Sequence, residues 1–304
     1  MGTWQIDKRY WTGVEADKII HAVHGALASG ITTFDTAEDY GEGYSEQLLG
    51  KALAGRRQEA VILSKVSSNH LRAAQVFEAC HRSLGNLGTD YLDLYQIHWP
   101  SGSWGSQPTP IHETMEALTR LQEQGKIRAI GVSNFSLDQL KEAARHGDIF
   151  SLQPPYSLFW RHIDREIRSY CEENHIRILA YSPLGQGILT GKFGADHRFD
   201  EGDNRRDDIL FRQPHATRCQ TALAELRPIA DRLHISLGQL AIAWVINRPL
   251  THAITGVRDA VQVTQNAAVA ELRLTRADLA LMDEIARPVS DPLMDHVIPW
   301  TWES

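Results

Sequence analysis

Along the chain, short apolar runs alternate with longer stretches in which apolar residues recur every three or four positions. The first pattern predicts strands and the second predicts helices that pack against them. Strand candidates fall at residues 2–6, 32–36, 61–65, 91–98, 129–133, 151–155, 178–182 and 252–256. Each is followed by a helical stretch, which predicts a parallel sheet with helical crossovers closed into a (β/α)8 barrel, one α/β domain over residues 1–304. An open doubly wound sheet is the alternative. It would carry a Gly-x-Gly-x-x-Gly turn after its first strand, and no such turn occurs.

Local signals mark several helix starts. Ser136 with Gln139, and Ser236 with Gln239, have the spacing of a capping box, and Thr275 with Asp278 is a close variant. Thr109-Pro110 predicts a cap followed by proline in the first turn, with Ile111, Met115, Leu118 and Leu121 on one buried face. The alternation breaks between Lys192 and Thr217, where the chain turns polar and rich in Gly, Asp and Arg. A loop of that length in a compact domain is commonly functional, and it follows the seventh predicted strand, where barrels bind phosphate.

Composition narrows the options. The formal charge of −7, without any Lys/Arg cluster, argues against a nucleic-acid partner. No apolar run reaches the length of a membrane span, and the first residues resemble neither a signal nor a transit peptide. Cys80, Cys171 and Cys219 form no metal-type pair, and their spread suits a reducing, cytoplasmic compartment. No metal site is expected.

In a barrel, reactive groups gather at the C-terminal ends of the strands. Three successive predicted strand ends supply Asp35 with Tyr40, then Lys65, then His98. Reducing a carbonyl requires a hydride at carbon and a proton at oxygen as negative charge develops there. A phenol, with an ordinary pKa of about 10, becomes a usable donor when an ammonium stabilises its anion. Asp35 would hold Lys65, and His98 would hydrogen-bond the substrate oxygen. Taken singly, each residue has a structural reading: a turn aspartate, a surface lysine, a hydrogen-bonded histidine.

These residues stand in segments that resemble the aldo-keto reductases. The matching segments are Gly2-Thr3-Trp4, Phe34–Ala37 with Tyr40-Gly41, Ser45-Glu46 with Leu49-Gly50, Lys65, Asp90–Pro100, Gly125–Phe135, Leu152–Tyr156, Ala180–Leu184 and Gly191–Phe193. The resemblance covers nearly the whole chain and is strongest to the bacterial general-stress and inositol-operon branch. It implies that Asp35, Tyr40, Lys65 and His98 form a catalytic tetrad serving NADPH/NADP+. It places Ser133, Asn134 and Gln153 at the nicotinamide carboxamide and Tyr181 under the nicotinamide ring. Ser182, Pro183, Leu184, Gly185 and Gln186 would wall the pyrophosphate, with Lys192 and Arg205 reaching phosphate from the long loop. Thr3, Trp4, Gly256, Val257, Gln262 and Asn266 would complete the cofactor site, and Arg258 would take an adenosine 2′-phosphate at a helix start, favouring NADPH over NADH.

The chain departs from the family at three places. Thr255 stands where Pro is usual, Gln265 replaces a Glu that would contact the adenine, and the Gly-Thr-Trp segment follows Met1 without the usual hairpin. The last implies an open or partner-covered barrel floor and lower stability. Trp4, Tyr40, His98 and Trp99 are the substrate-side candidates, with Trp11, Trp104, Phe159, Trp160, Trp300 and Trp302 adding to an aromatic pocket for a small aldehyde, ketone or sugar-derived carbonyl. The sequence does not choose between monomer and homo-oligomer. Two alternatives stay open: a nucleotide-sensing barrel with slow turnover, and a lyase or isomerase that uses Lys65 as a nucleophile.

Overall fold

The computed structural model describes residues 1–6, 15–257 and 259–301. Seven parallel strands follow one another in chain order: β1 (Thr33–Asp35), β2 (Val61–Val66), β3 (Leu94–Ile97), β4 (Ile130–Ser133), β5 (Ile149–Gln153), β6 (Arg177–Ala180) and β7 (Thr251–Ala253). Gly2 closes the ring. It bridges in parallel to Asp35 on one side and to Gly256 on the other. Its N–H donates to Thr255 O at 2.8 Å, and Thr3 N donates to Asp35 O at 2.9 Å. The seam admits no side chain, because a Cβ on Gly2 would lie 2.8 Å from Ile254 Cγ2.

The fold is therefore the expected eight-stave barrel, with one correction. The strand expected at 2–6 pairs only at its start. Thr3 Oγ1 also donates to Asp35 O at 2.9 Å, and Ile6 N returns to Thr3 O at 2.9 Å. The chain thus curls into a 3-10 turn at Trp4–Ile6 instead of running on. The other strands lie close to where expected, with shifted ends: β5 begins at Ile149 and stops at Gln153 instead of spanning 151–155, and β3 keeps only an isolated bridge at Leu92 before its regular ladder.

Ten helices follow the sheet among the described residues: α1 (Ala16–Ala28), α2 (Tyr44–Ala52), α3 (Ala73–Leu87), α4 (Ile111–Glu123), α5 (Leu137–Ala143), α6 (Ile167–Glu173), α7 (His215–Arg232), α8 (Leu237–Ile246), α9 (Ala260–Ala267) and α10 (Arg276–Ser290). The capping signals at Ser136, Ser236 and Thr275 operate as read, but the one at Thr109-Pro110 does not: Pro110 is itself the N-cap of α4, with no side-chain cap, and Thr109 Oγ1 turns to Gln107 O at 3.4 Å. Ser136 and Ser236 accept from the N–H groups of Gln139 and Gln239, whose side chains bond back. Thr275 accepts from Asp278 N at 3.0 Å and donates to Asp278 Oδ2 at 2.8 Å. Among the described residues, no single helix is long and apolar enough to cross a membrane, and no group of three or more His, Cys, Asp or Glu is placed to hold a metal ion. The three cysteines are buried, and burial pushes the Cys80 and Cys171 thiols up to about 12.

The barrel interior changes character along the strands. Leu63, Leu94 and Leu179 form a small apolar layer with Ala129 and Ile254. Two residues further on, on the same face of β2 and β3, stand Lys65 and Gln96, both fully buried. Ser151 and Gln153 join this polar layer, and Gly131 makes room for it: a Cβ there would lie 2.6 Å from Ser151 Oγ. Ionic and amide groups thus collect at the C-terminal ends of the strands, while the large core of Phe34, Ile62, Tyr95, Val132 and Ile178 packs with the helices.

The segment after Lys192 contains 3-10 turns at Asn204–Asp207 and Ile209–Phe211. The chain near the C-terminus straps across it. Ile209 N donates to Pro299 O at 2.8 Å, Thr301 N donates to Asp207 O at 3.1 Å, and Asp208 bridges Trp300. Asp208 is fully buried there. Its Oδ1 accepts from Leu210 N at 2.8 Å, while Oδ2 has no hydrogen-bond partner among the described residues. Burial raises this carboxyl from 3.8 to about 8, against the Leu210 N–H and Arg212. Its folded value lies above its unfolded one, so its contribution to stability is full below pH 3.8 and is lost as the pH rises through about 8. Asp208→Asn is expected to melt with the parent at pH 4 and roughly 5 °C above it at pH 9. Scanning calorimetry at both pH values checks this; the same offset at each would contradict it.

Candidate active site

Lys65, at the end of β2, is fully buried, and its ammonium reaches three oxygens. Nζ donates to Asp35 Oδ1 at 2.8 Å, to Thr36 O at 2.8 Å and to Tyr40 Oη at 3.2 Å. Burial pushes this lysine below its ordinary pKa, opposed by Asp35. All three donors face acceptors, an arrangement suited to an ammonium that polarises a phenol and poorly suited to a nucleophilic amine. Asp35 Oδ2 accepts from Gln153 Nε2 at 2.8 Å, so the carboxylate is held on both sides.

His98, just past β3, meets Tyr40 edge to face with ring centroids 5.6 Å apart. Its Nδ1 lies 3.1 Å from Asp39 Oδ2. Partial desolvation would push the Asp39 carboxyl up, yet its side chain is 44% exposed, and the hydrogen bond and charge of His98, with Ser67 and His70, hold it below its usual value. The four side chains expected from successive strand ends are therefore together, and a fifth, Asp39, adjoins them.

A cavity of about 1470 Å³ opens over this cluster and runs across the barrel mouth to α9. Asp35, Tyr40, His98, Trp99 and Trp4 line it. So do Ser133, Asn134, Gln153, Tyr181, Ser182, Pro183, Leu184, Gln186, Lys192, Arg205, Gly256, Gln262 and Asn266. A chain of hydrogen bonds ties the strand ends along one wall. Ser133 Oγ donates to Gln153 O at 2.7 Å, Asn134 Nδ2 to His98 O at 3.1 Å, and Tyr181 Oη to Asn134 Oδ1 at 2.9 Å. Asn134, Ser182 and Gln186 all take positive φ, at 61°, 53° and 55°. Left-handed backbone at three non-glycine residues is costly, and it clusters where a wall must present its polar groups inward.

Other expected site residues sit elsewhere. Thr3 faces away from the cavity, bonded to Asp35 O and accepting from Ser45 Oγ at 2.7 Å. Gly185 packs beneath the wall against Ile188 and Leu210, and Val257 is buried in the core. Arg205 does line the cavity, but its guanidinium pairs with Asp203 (Nε to Oδ1, 2.9 Å) and lies 4.5 Å over Phe199. Arg258, Trp11 and Trp302 lie outside the described residues. Phe159 and Trp160 do not line the pocket; both are buried in the core, because β5 turns inward after Gln153 through Pro155 and Tyr156.

Trp300 lines the cavity, edge-on to Trp4 at 5.7 Å and nearly parallel to Tyr181, with centroids 6.4 Å apart. Trp104 also faces the cavity and meets Trp99 edge-on at 5.0 Å. Asp39 carries no signal in the sequence beyond being a carboxylate next to Tyr40.

A (β/α)8 barrel with a buried Lys–Asp pair beneath a tyrosine, at the mouth of a long cavity, defines the class: a barrel oxidoreductase. The profile of the Aldo/keto reductase family matches residues 1–287, and the chain belongs to that family. It is 34% identical to Aldo-keto reductase YhdN of Bacillus subtilis (strain 168), covering 96% of this chain and 91% of that protein. It is 31% identical to the NADH-specific methylglyoxal reductase of Escherichia coli (strain K12), covering 94% and 93%. Among solved structures, an aldo-keto reductase from Klebsiella pneumoniae in complex with NADPH superposes with a TM-score of 0.78 at 29% identity, over 99% of this chain and 93% of that one.

Proposed function

We propose that this protein reduces a small aldehyde or ketone to the alcohol with NADPH, and that Tyr40 donates the proton. The observation that carries the reading is Lys65 Nζ, held 2.8 Å from Asp35 Oδ1 and 3.2 Å from Tyr40 Oη in a fully buried position. When bound, the reduced nicotinamide supplies a hydride to the carbonyl carbon. The oxygen takes up the C=O π pair and receives the Tyr40 proton, and Lys65 stabilises the phenolate left behind. Solvent then reprotonates Tyr40, so a carbonyl, NADPH and one proton become an alcohol and NADP+. His98 orients the substrate oxygen, and Asp35 keeps Lys65 aimed.

The cavity suits a dinucleotide. It is far larger than a small carbonyl needs, and its wall presents Asn134, Gln153 and the left-handed turn from Ser182 to Gln186. Ser133, Asn134 and Gln153 would hold the carboxamide and Tyr181 the ring face. Ser182–Gln186 and Lys192 would hold the pyrophosphate, and Gln262 and Asn266 the adenosine end. The NADPH-bound Klebsiella pneumoniae structure supports this assignment. We propose likewise that residues 1–304 form one barrel domain working in the cytoplasm. The test of function is consumption of NADPH, followed at 340 nm over a panel of aldehydes, ketones and oxidised sugars. A regulatory barrel would bind NADPH tightly yet give no panel member appreciable turnover.

One observation favours a second reading for the cofactor. Asp259 caps α9, its Oδ1 accepting from Gln262 N at 2.9 Å, so a carboxylate already occupies a helix-start amide next to Arg258. A 2′-phosphate beside that carboxylate loses part of the benefit of the helix start. The NADH-specific relative from Escherichia coli is consistent with a weakened preference. Asp259→Ser, which keeps the cap without the charge, is expected to raise the ratio of kcat/KM for NADPH over NADH by about tenfold. An unchanged ratio would remove Asp259 from cofactor choice.

A further inference from the structure

Asp39 is the charged group nearest the proposed site that the mechanism above does not use. Its carboxylate lies 3.1 Å from His98 Nδ1. The remaining ionisable neighbours are few. Tyr40 lies edge-on to the His98 ring, and Lys65 sits behind Tyr40 with Asp35. On the Asp39 side stand Ser67 and His70, and His70 is itself tied to Glu38, which also binds Arg82. Asn134 reaches His98 only at its backbone carbonyl.

From this geometry we infer that Asp39 is a positioning residue that fixes the tautomer of His98, and so makes carbonyl reduction depend on full protonation of that ring. A carboxylate can only accept, so the proton of the neutral imidazole must sit on Nδ1. Nε2 is then left for the substrate oxygen as a lone pair. A neutral His98 in this state has no proton to offer a carbonyl oxygen. Donation from Nε2 requires the imidazolium, in which both nitrogens carry protons. Reduction should therefore fade toward alkaline pH more steeply than the chemistry of Tyr40 alone requires. Asp39→Asn lifts the restriction. The amide can donate to Nδ1, which leaves a proton on Nε2 of the neutral ring.

The inference rests on the proposed reduction chemistry, and the experiment separates the two. The kcat for reduction is measured from pH 6 to 9 for the parent, Asp39→Asn, Asp39→Glu and Tyr40→Phe. Between pH 6 and 9 the parent's reduction kcat is expected to fall about tenfold more than that of Asp39→Asn, while Asp39→Glu, still a carboxylate, keeps the parent's fall. Long-range proton–nitrogen NMR of the nitrogen-15-labelled NADP+ complex, with the His98 signal assigned by its loss in His98→Gln, should show Nδ1 protonated in the neutral ring. A neutral ring protonated at Nε2, or one pH profile shared by parent and Asp39→Asn, overturns the inference. Undiminished turnover in Tyr40→Phe overturns the proposed chemistry itself, whatever Asp39 does.

Discussion

Tyr40→Phe is expected to bind NADPH within about twofold of the parent yet lose roughly a thousandfold in kcat, since general acid catalysis is worth about 10²–10⁴. The phenol hydroxyl is the one group within hydrogen-bond reach of Lys65 Nζ that could pass a proton to a substrate, at 3.2 Å. Removing only that oxygen leaves the ring's edge-to-face packing on His98 in place, so the fold and cofactor cavity should persist. The change should therefore fall on kcat and leave nucleotide affinity alone, as expected for a group that acts chiefly in the transition state. Fluorescence titration of NADPH beside steady-state kinetics separates the two quantities. A variant that retains a tenth or more of the parent's kcat would show that the proton comes from elsewhere.

Lys65→Met is expected to damage both stability and turnover, which sets it apart from Tyr40→Phe. Methionine fills much of the buried volume but strands Asp35, which is 4% exposed and left with Gln153 Nε2 as its remaining side-chain donor. Breaking a buried ion pair on one side costs about 3–5 kcal/mol, so a clear fall in urea midpoint should accompany the loss of activity. The double change Asp35→Asn with Lys65→Met removes both charges and should recover much of the stability but none of the turnover. Recovery of both would mean that the lysine serves the fold alone.

Much of this architecture was legible because it is written locally. The caps at Ser136, Ser236 and Thr275 depend on residues three apart, and the structure forms each of them. Asp35, Lys65 and His98 were legible because strand ends point to a common rim, whatever the length of each strand. What escaped was set by partners distant in sequence. The strand expected at 2–6 stops at its first paired residue because Thr3 binds Asp35 O twice, through its N–H and its hydroxyl. Trp300 is carried to the cavity by backbone pairing of its segment with Asp207–Ile209, about ninety positions earlier in the chain. Phe159 and Trp160 looked like pocket aromatics beside a strand end, but the turn through Pro155 and Tyr156 carries them into the core. Asp39 could not be told from an ordinary turn residue until His98 was seen across from it.

The most direct test of the central claim is a crystal structure of the NADP+ complex with an unreactive carbonyl analogue. The nicotinamide should lie on Tyr181, with the analogue's oxygen about 3 Å from Tyr40 Oη and its carbon about 3.5 Å from the ring carbon that carries hydride. A nicotinamide bound away from Tyr181, or an analogue oxygen out of reach of Tyr40, would contradict the assignment of this cluster as the reducing site.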